Sequence, residues 1–213
     1  MQLNEIISFD LDGTLVTTDF VDAVWLERIP ELYAEKYGLD FEEAKKCCEE
    51  EYLKVGPEAL EWYDIHYWIE KFKLDANWKE ILLSCKNKLR LYPEVKKVLE
   101  SLSENATLII TSNAAREFIE IEVEVLDLRR FFSNIFSAVS DFHKTKKDKE
   151  VYRKIMEKVG GKFVHVGDNY EFDYIAPRQA GLVAYYLDRS GNSNGSHVVR
   201  NLMEFEEKLA KIF

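Results

Sequence analysis

Apolar and polar residues alternate along this chain in two different rhythms. From about residue 17 to residue 88 the apolar positions recur every three or four residues, the spacing of helices that bury one face. The stretch DFVDAVWLERIPELYAEKYG keeps that rhythm and ends in Gly38, a residue type suited to the left-handed turn that closes a helix. Asp40 with Glu43 then reads as a capping box opening FEEAKKCCEEEYLKV. Gly56-Pro57 ends that helix, and Pro57 suits the first turn of another, PEALEWYDIHYWIEKF. All four tryptophans, Trp25, Trp62, Trp68 and Trp78, fall in this segment.

Beyond about residue 90, short continuous apolar runs alternate with helical patterns. ATLIITS, SNIFSAV, KFVHVGD and VAYYLD read as strands. YPEVKKVLESLSE, AAREFIEIEVEVLDL, DKEVYRKIMEKVG, a short FDYIAPRQAG and the closing VVRNLMEFEEKLAKIF read as helices. Strands apolar on both faces, each followed by a helix, predict a parallel sheet covered on both sides. The opening run EIISFDL belongs with this half. The predicted plan is an α/β fold with a Rossmann-like parallel sheet core from residues 1–16 and 89–213. A helical insert, residues 17–88, interrupts it after the first strand.

Length and composition narrow the function. The 213 residues suffice for one domain with such an insert, or for two small domains. The 46% hydrophobic share is that of a globular protein, and no run approaches the roughly 20 apolar residues that span a bilayer. The start, MQLNEIISFD, lacks the basic and long apolar regions of a secretory signal. A net charge of −10 argues against nucleic acid or a membrane surface as partner, since both are polyanionic. An anionic small molecule stays possible where a metal or lysine reverses the local field. The three cysteines, Cys47, Cys48 and Cys85, form no C-x-x-C pair and no even set, which suits a reducing compartment. A cytoplasmic protein is expected.

The candidate chemistry lies where the strands end. Ligands of open parallel sheets bind beyond the carboxyl ends of the strands. The first strand ends at Asp10, followed by Asp12; ATLIIT ends at Ser112 and Asn113; KFVHV ends at Gly167 and Asp168, with Asp173 a turn later. Three strands thus deliver acid or hydroxyl groups to one sheet edge. These groups suit metal-assisted phosphoryl transfer. Mg²⁺ prefers carboxylate, carbonyl and water oxygens, and Asp10 and Asp168 supply carboxylates. Asp10 can attack phosphorus, while Asp12 can protonate the leaving oxygen and then activate water. Gly13 allows a sharp turn between them. Ser112 and Asn113 can donate to phosphoryl oxygens, and HKTKKDKEVY offers several lysines to balance charge in the transition state.

These motifs resemble those of the haloacid dehalogenase-like hydrolase superfamily, in its branch of phosphatases with a helical cap of the C1 type, similar to phosphoglycolate phosphatases. FDLDGT resembles the first motif, LIITSN the second and VGDNYEFD the fourth. The resemblance implies Asp10 as nucleophile, Asp12 as general acid/base, Ser112 with Asn113 on the phosphoryl group, and Mg²⁺ on Asp10, Asp168 and the Asp12 backbone carbonyl. Asp173 and Thr14 would support that site from behind. The third motif often reads Lys-Pro-Asp-Pro with an aromatic residue further on. KKDKEVY fits that frame with Lys146 as the lysine and Asp148 and Tyr152 in register; Lys147 and Lys149 stand where prolines would be, and Lys144 is the alternative. The expected activity is a Mg²⁺-dependent phosphomonoesterase acting on a small phosphorylated metabolite through an aspartyl-phosphate on Asp10. The alternatives are a 2-haloacid dehalogenase, a sugar-phosphate mutase or a catalytically silent binding protein of the same superfamily. Asp12 and Asp168 count against the dehalogenase, which needs neither a metal nor a leaving-group acid.

Blander readings compete at single residues. The aromatic stretch EWYDIHYW reads first as helix packing, with Trp62, Tyr63, His66 or Tyr67 as the pocket-lining alternative. Arg116 reads as a surface helix arginine, and Cys47-Cys48 as packing with no nucleophile context.

Overall fold

The computed structural model describes residues 5–211. After β1 (Glu5–Phe9) the chain runs through helices only: α1 (Asp19–Ala23), a π turn over Val24–Arg28, α2 (Ile29–Tyr37), α3 (Phe41–Val55), a 3-10 turn over Leu60–Tyr63, α4 (Ile65–Lys71) and α5 (Trp78–Ser84). It continues through α6 (Val95–Ser103), β2 (Ala106–Ser112), α7 (Arg116–Val125), β3 (Phe132–Ser137), α8 (Ala138–Phe142) and α9 (Lys149–Val159). The chain closes with β4 (Val164–Gly167), a π turn over Tyr170–Ile175, α10 (Ala176–Gln179), β5 (Val183–Leu187), β6 (Val198–Val199) and α11 (Leu202–Leu209).

The six strands form one sheet in the order β3-β2-β1-β4-β5-β6, and every pairing is parallel. The strand order reverses between β1 and β4, and the crevice at such a switch point is where ligands bind in doubly wound folds. Asp10 and Asp168 stand at the carboxyl ends of those two strands. Alternation along the strands builds two cores. Ile7 and Phe9 of β1 and Leu108 and Ile110 of β2 face one side; Ile109 faces the other, with Tyr152, Ile155 and Phe163. Phe9 meets Phe205 of α11 edge-on at 5.8 Å.

The helical segment after β1 shares the first of these cores. Phe20, Trp25, Tyr52 and Trp68 join Ile119 and Phe118 of α7 in one apolar cluster, and the Trp25 ring stacks on Phe118 at 5.3 Å. The expected capping box opens α3, where Asp40 Oδ1 accepts from the Glu43 amide at 3.0 Å.

Three local expectations are corrected. No single helix starts at Pro57: Asp64 accepts from the amides of His66 (2.8 Å) and Tyr67 (3.3 Å) and so starts a new helix at Ile65. The strand SNIFSAV stops at Ser137, whose hydroxyl accepts from the Ser140 amide (2.9 Å) and caps α8. The closing helix begins at Leu202 rather than Val198, because Asn201 caps it through the Glu204 amide (2.9 Å) and Val198–Val199 pair with β5 instead. The last two residues of that predicted helix lie outside the described residues.

Candidate active site

The loop after β1 is wound tightly by its own backbone. Leu11 O accepts from the amides of Thr14, Leu15 and Val16, and the Gly13 amide donates to Val16 O at 2.8 Å. Gly13 sits at φ +75°, and a Cβ there would lie 2.0 Å from Asp168 Oδ2. The absence of a side chain is therefore what lets the β4 carboxylate approach the β1 loop. From outside, Arg189 donates to the carbonyls of Thr14 (2.7 Å) and Gly13 (3.3 Å), pairs with Glu94 at 2.8 Å and lies 3.5 Å over the Tyr92 ring.

Within this loop Asp10 is buried. Thr14 Oγ1 donates to its Oδ2 at 3.2 Å and Lys147 Nζ donates to its Oδ1. Lys147 is 2% exposed; it also reaches Asp173 Oδ1 at 2.5 Å and the Thr111 carbonyl at 3.2 Å. Burial opposes the charge on Lys147, but Asp10 and Asp173 overcome it and hold the ammonium protonated. Burial pushes the Asp10 carboxyl up against the pull of Lys147, and Asp173 and Asp168 add repulsion. Burial would also raise Asp173, but Lys147 and His165 hold it at about 2.

The lysine is the correction to the sequence reading. Lys146 points away: its ammonium is 43% exposed and pairs with Glu58 at 2.6 Å. Lys144 is 46% exposed and pairs with Asp148 at 3.4 Å. Asp148 caps α9 through the amides of Glu150 and Val151, both at 2.9 Å, and so fixes where the helix starts. The Asp148 amide donates to the Lys146 carbonyl at 2.9 Å, so Lys147 stands at the centre of a tight three-residue turn that carries its side chain inward and leaves that of Lys146 outside. With lysines in place of both prolines, the spacing to Asp148 and Tyr152 selected the wrong neighbour.

The other expected residues converge. Ser112 ends β2, buried, with its Oγ accepting from the Ala114 amide at 3.0 Å. Asp12 Oδ1 and Asn113 Oδ1 are sealed from solvent, and the Asp12 carboxyl lies against that of Glu122, a contact that becomes a hydrogen bond when one of the two acids is protonated. Asp12 and Asn113 line a pocket of about 280 Å³ walled by Trp25, Trp62, Tyr63 and Phe118. Burial raises the Asp12 carboxyl to about 7. His66 lies elsewhere, paired with Glu117 at 3.1 Å. Arg116 is a structural link, donating to Ile135 O at 3.2 Å and pairing with Asp141.

Behind the site runs a polar strip that the sequence reading did not foresee. Ser8 of β1, Thr111 of β2 and His165 of β4 lie together on one sheet face, with Ser8 Oγ 2.9 Å from both Thr111 Oγ1 and His165 Nδ1. His165 Nε2 is 2.9 Å from Asp173 Oδ1 and 3.0 Å from the Tyr152 hydroxyl, which donates to Phe172 O at 2.8 Å. A carboxylate accepts only, so the His165 proton is assigned to Nε2 and Ser8 donates to Nδ1. Burial lowers the His165 pKa, which keeps the ring neutral. The available signal was a polar residue inside each of two otherwise apolar strands, IISF and KFVHV. Glu122 of α7 was equally unmarked: it is fully buried, with its carboxyl against that of Asp12.

A divalent cation fits this donor set. Oxygen atoms of Asp10, Asp168 and Asp173 lie within 4.8 Å of one another. Three carboxyls face one ammonium there, an excess of negative charge that a hard dication offsets. Asp173 already accepts from Lys147, His165 and the Asn169 amide, which leaves Asp10 and Asp168 as the carboxylates with room for an ion.

A model of the haloacid dehalogenase-like hydrolase family matches residues 5–181. Among solved structures, a HAD phosphatase from Thermococcus onnurineus is similar over 96% of this chain and 97% of that one, with a TM-score of 0.83 and 23% identity. The L-2-haloacid dehalogenase from Xanthobacter autotrophicus is similar over 99% of this chain and all of that one (100%), with a TM-score of 0.62 and 16% identity. At such identities the likeness is one of fold. The GMP/IMP nucleotidase YrfG of Escherichia coli is 33% identical over 69 residues, which span 32% of this chain and 31% of that protein. With the family match covering most of its length and the three aspartates and Lys147 gathered at the switch point, the chain belongs to the haloacid dehalogenase-like hydrolases.

Proposed function

We propose that this protein is a Mg²⁺-dependent phosphomonoesterase that works through an aspartyl-phosphate on Asp10. The observation that carries the reading is the pairing of two differently treated carboxyls one residue apart. Asp10 is held by Thr14 and Lys147, whereas Asp12 lies against the buried carboxyl of Glu122 and lines a pocket. The first is positioned to attack and the second to carry a proton.

Asp10 attacks the phosphorus, and the P–O bond to the leaving group breaks. Asp12, raised to about 7, gives its proton to the departing oxygen. Asp12 then takes a proton from the water that attacks the phosphorylated Asp10, and orthophosphate leaves. Ser112 and Asn113 bind phosphoryl oxygens, and Lys147 counters their charge. Asp10, Asp168 and the Asp12 carbonyl would hold Mg²⁺, which supplies positive charge to the phosphoryl oxygens. Residues 17–88 act as the cap that closes over the site and excludes water. A dehalogenase has no use for the Asp12 proton, so an Asp12 carboxyl raised to about 7 favours the phosphatase. The nucleotidase relative supports the same choice, since its named substrates are phosphomonoesters. The substrate is a small phosphorylated metabolite rather than nucleic acid, given the net charge of −10. Such a substrate fits a cytoplasmic protein.

Release of phosphate from p-nitrophenyl phosphate tests the reading. Wild type should turn over with Mg²⁺, stop on chelation and recover when Mg²⁺ returns. Asp10→Asn should keep its thermal transition and lose turnover. Turnover by Asp10→Asn at the wild-type rate would remove the nucleophile assignment, and chelator-insensitive hydrolysis would remove the metal.

A further inference from the structure

The pocket facing Asp12 has an unusual charge pattern for a site whose substrate is an anion. It shares Asp22, Trp25 and Trp62 with an adjoining pocket of about 330 Å³ that continues towards Tyr52, Leu53 and Glu49. The acid and base side chains lining the two are all carboxyls, Asp12, Asp22 and Glu49; no lysine, arginine or histidine lines either among the described residues. Apart from Thr18 and Asn113, the rest is apolar or aromatic. Trp25 stands between Phe118, stacked at 5.3 Å, and Tyr52, edge-on at 5.9 Å, and the Tyr52 ring lies 6.4 Å from Trp62.

These walls discriminate among leaving groups. A second anionic group, such as a carboxylate or another phosphate, would face Asp22 and Glu49 with nothing to pair it. A polyhydroxyl group would find acceptors in the Asp22 and Glu49 carboxyls but few free donors. The Tyr52 hydroxyl already donates to Trp25 O (3.2 Å), the Tyr63 hydroxyl to Pro57 O (3.3 Å), and Asp22 accepts from Thr18 at 3.0 Å. Aromatic faces beside carboxylates are instead the setting that attracts an organic cation, by the ring quadrupole and by charge together.

We propose that the leaving group is an organic ammonium: the substrate is the phosphomonoester of an amino alcohol, its alkylated amine seated against Trp25 and Trp62 between Asp22 and Glu49. The inference rests on the phosphomonoesterase reading and adds the substrate class. The chemistry needs no further reactant. The P–O bond breaks, the amino alcohol leaves with the proton of Asp12, and water completes the cycle. The phosphate end meets Lys147 and the ammonium end meets the acidic aromatic pocket, so a zwitterion satisfies both.

The test compares kcat/KM for phosphocholine with that for its uncharged carbon isostere, 3,3-dimethylbutyl phosphate, and for phosphoglycolate, all with Mg²⁺. Because the isostere matches phosphocholine in shape, the ratio isolates the positive charge. Phosphocholine should exceed the isostere by about tenfold, the scale of a desolvated cation on aromatic faces, and phosphoglycolate should be the poorest of the three. In Asp22→Asn, Glu49→Gln and Trp62→Leu that ratio should fall towards one. Equal or better turnover of the isostere would overturn the inference; hydrolysis of p-nitrophenyl phosphate by wild type and not by Asp10→Asn would then leave the phosphatase standing. If wild type released phosphate from none of these esters, both readings would fall together. A ratio unmoved in all three variants would also overturn the assignment of the ammonium to this pocket.

Discussion

Lys147 Nζ lies 2.5 Å from Asp173 Oδ1 and donates at the same time to Asp10, so one buried ammonium ties the loop after β4 to the carboxyl that follows β1. Removing it leaves two buried carboxylates without their cation, a loss on the order of 3–5 kcal/mol. Lys147→Ala should therefore lower the urea midpoint sharply and abolish phosphate release. Lys147→Arg should recover much of the stability, since it keeps the charge. Lys146→Ala should stay within about twofold of wild type, because an exposed pair such as Lys146–Glu58 contributes on the order of 0–1 kcal/mol. A Lys146→Ala enzyme without activity would return the role to that residue.

The reason Lys146 and Lys147 were exchanged also shows how far the sequence carries. Periodicity located the sheet strands β1 to β5, because strands buried on both faces have a composition of their own. It missed Val198–Val199, since two residues make no pattern. It placed Asp10, Asp12, Ser112, Asn113 and Asp168 at one edge, because each follows directly on a strand and strand ends share an edge by topology. Lys147 sits in a connection, where direction depends on a cap (Asp148) and not on a period. The Ser8–His165–Asp173 chain was out of reach for another reason. It depends on register, Ser8 opposite His165, and no local pattern encodes the partner strand.

That chain makes its own prediction. His165 Nε2 holds Asp173 at 2.9 Å, and Asp173 holds Lys147. His165→Phe keeps the ring volume and removes the donor, leaving Asp173 and Ser8 with unmet hydrogen bonds, at about 1–3 kcal/mol each. Chemical denaturation should show that loss. Phosphate release should fall through kcat more than KM, since His165 touches no part of the pocket and acts only by positioning Asp173 and Lys147. A fall confined to KM would place its role elsewhere.

Gly13 and Gly38 form a matched pair of tests. Both have positive φ, +75° and +66°, so alanine strains the backbone at each. A Cβ at Gly38 meets nothing within 4 Å, whereas at Gly13 it meets Asp168 Oδ2 at 2.0 Å and Cγ at 2.6 Å. Gly38→Ala should cost about 1 kcal/mol and leave activity unchanged. Gly13→Ala should cost more and, by displacing Asp168, raise the Mg²⁺ concentration needed for half-maximal phosphate release by more than about tenfold. That shift follows from the loss of one carboxylate from a site held by few protein ligands. An unchanged Mg²⁺ titration in Gly13→Ala would separate Asp168 from the metal.

Glu122 is a buried acid that the fold tolerates at a cost. It lies on the inner face of α7 with no exposure, its carboxyl against that of Asp12, which it hydrogen-bonds when one of the two is protonated. Burial first, and then the charge of Asp12, push its carboxyl well above the ordinary value of 4.5, so the folded protein holds it neutral. Below pH 4.5 the unfolded chain is protonated as well, and the group causes no pH-linked loss. Above that value the unfolded chain releases the proton and the folded protein does not, so wild-type stability falls as pH rises until the folded group ionises too. Glu122→Leu removes both the linkage and a buried acid that faces Asp12, in a residue of similar size. It should be more stable than wild type by about 1–3 kcal/mol at neutral pH, with the margin wider at pH 8 than at pH 5 in urea titrations. A margin that narrows with rising pH would mean that Glu122 is ionised in the folded state and paired with something other than bare packing.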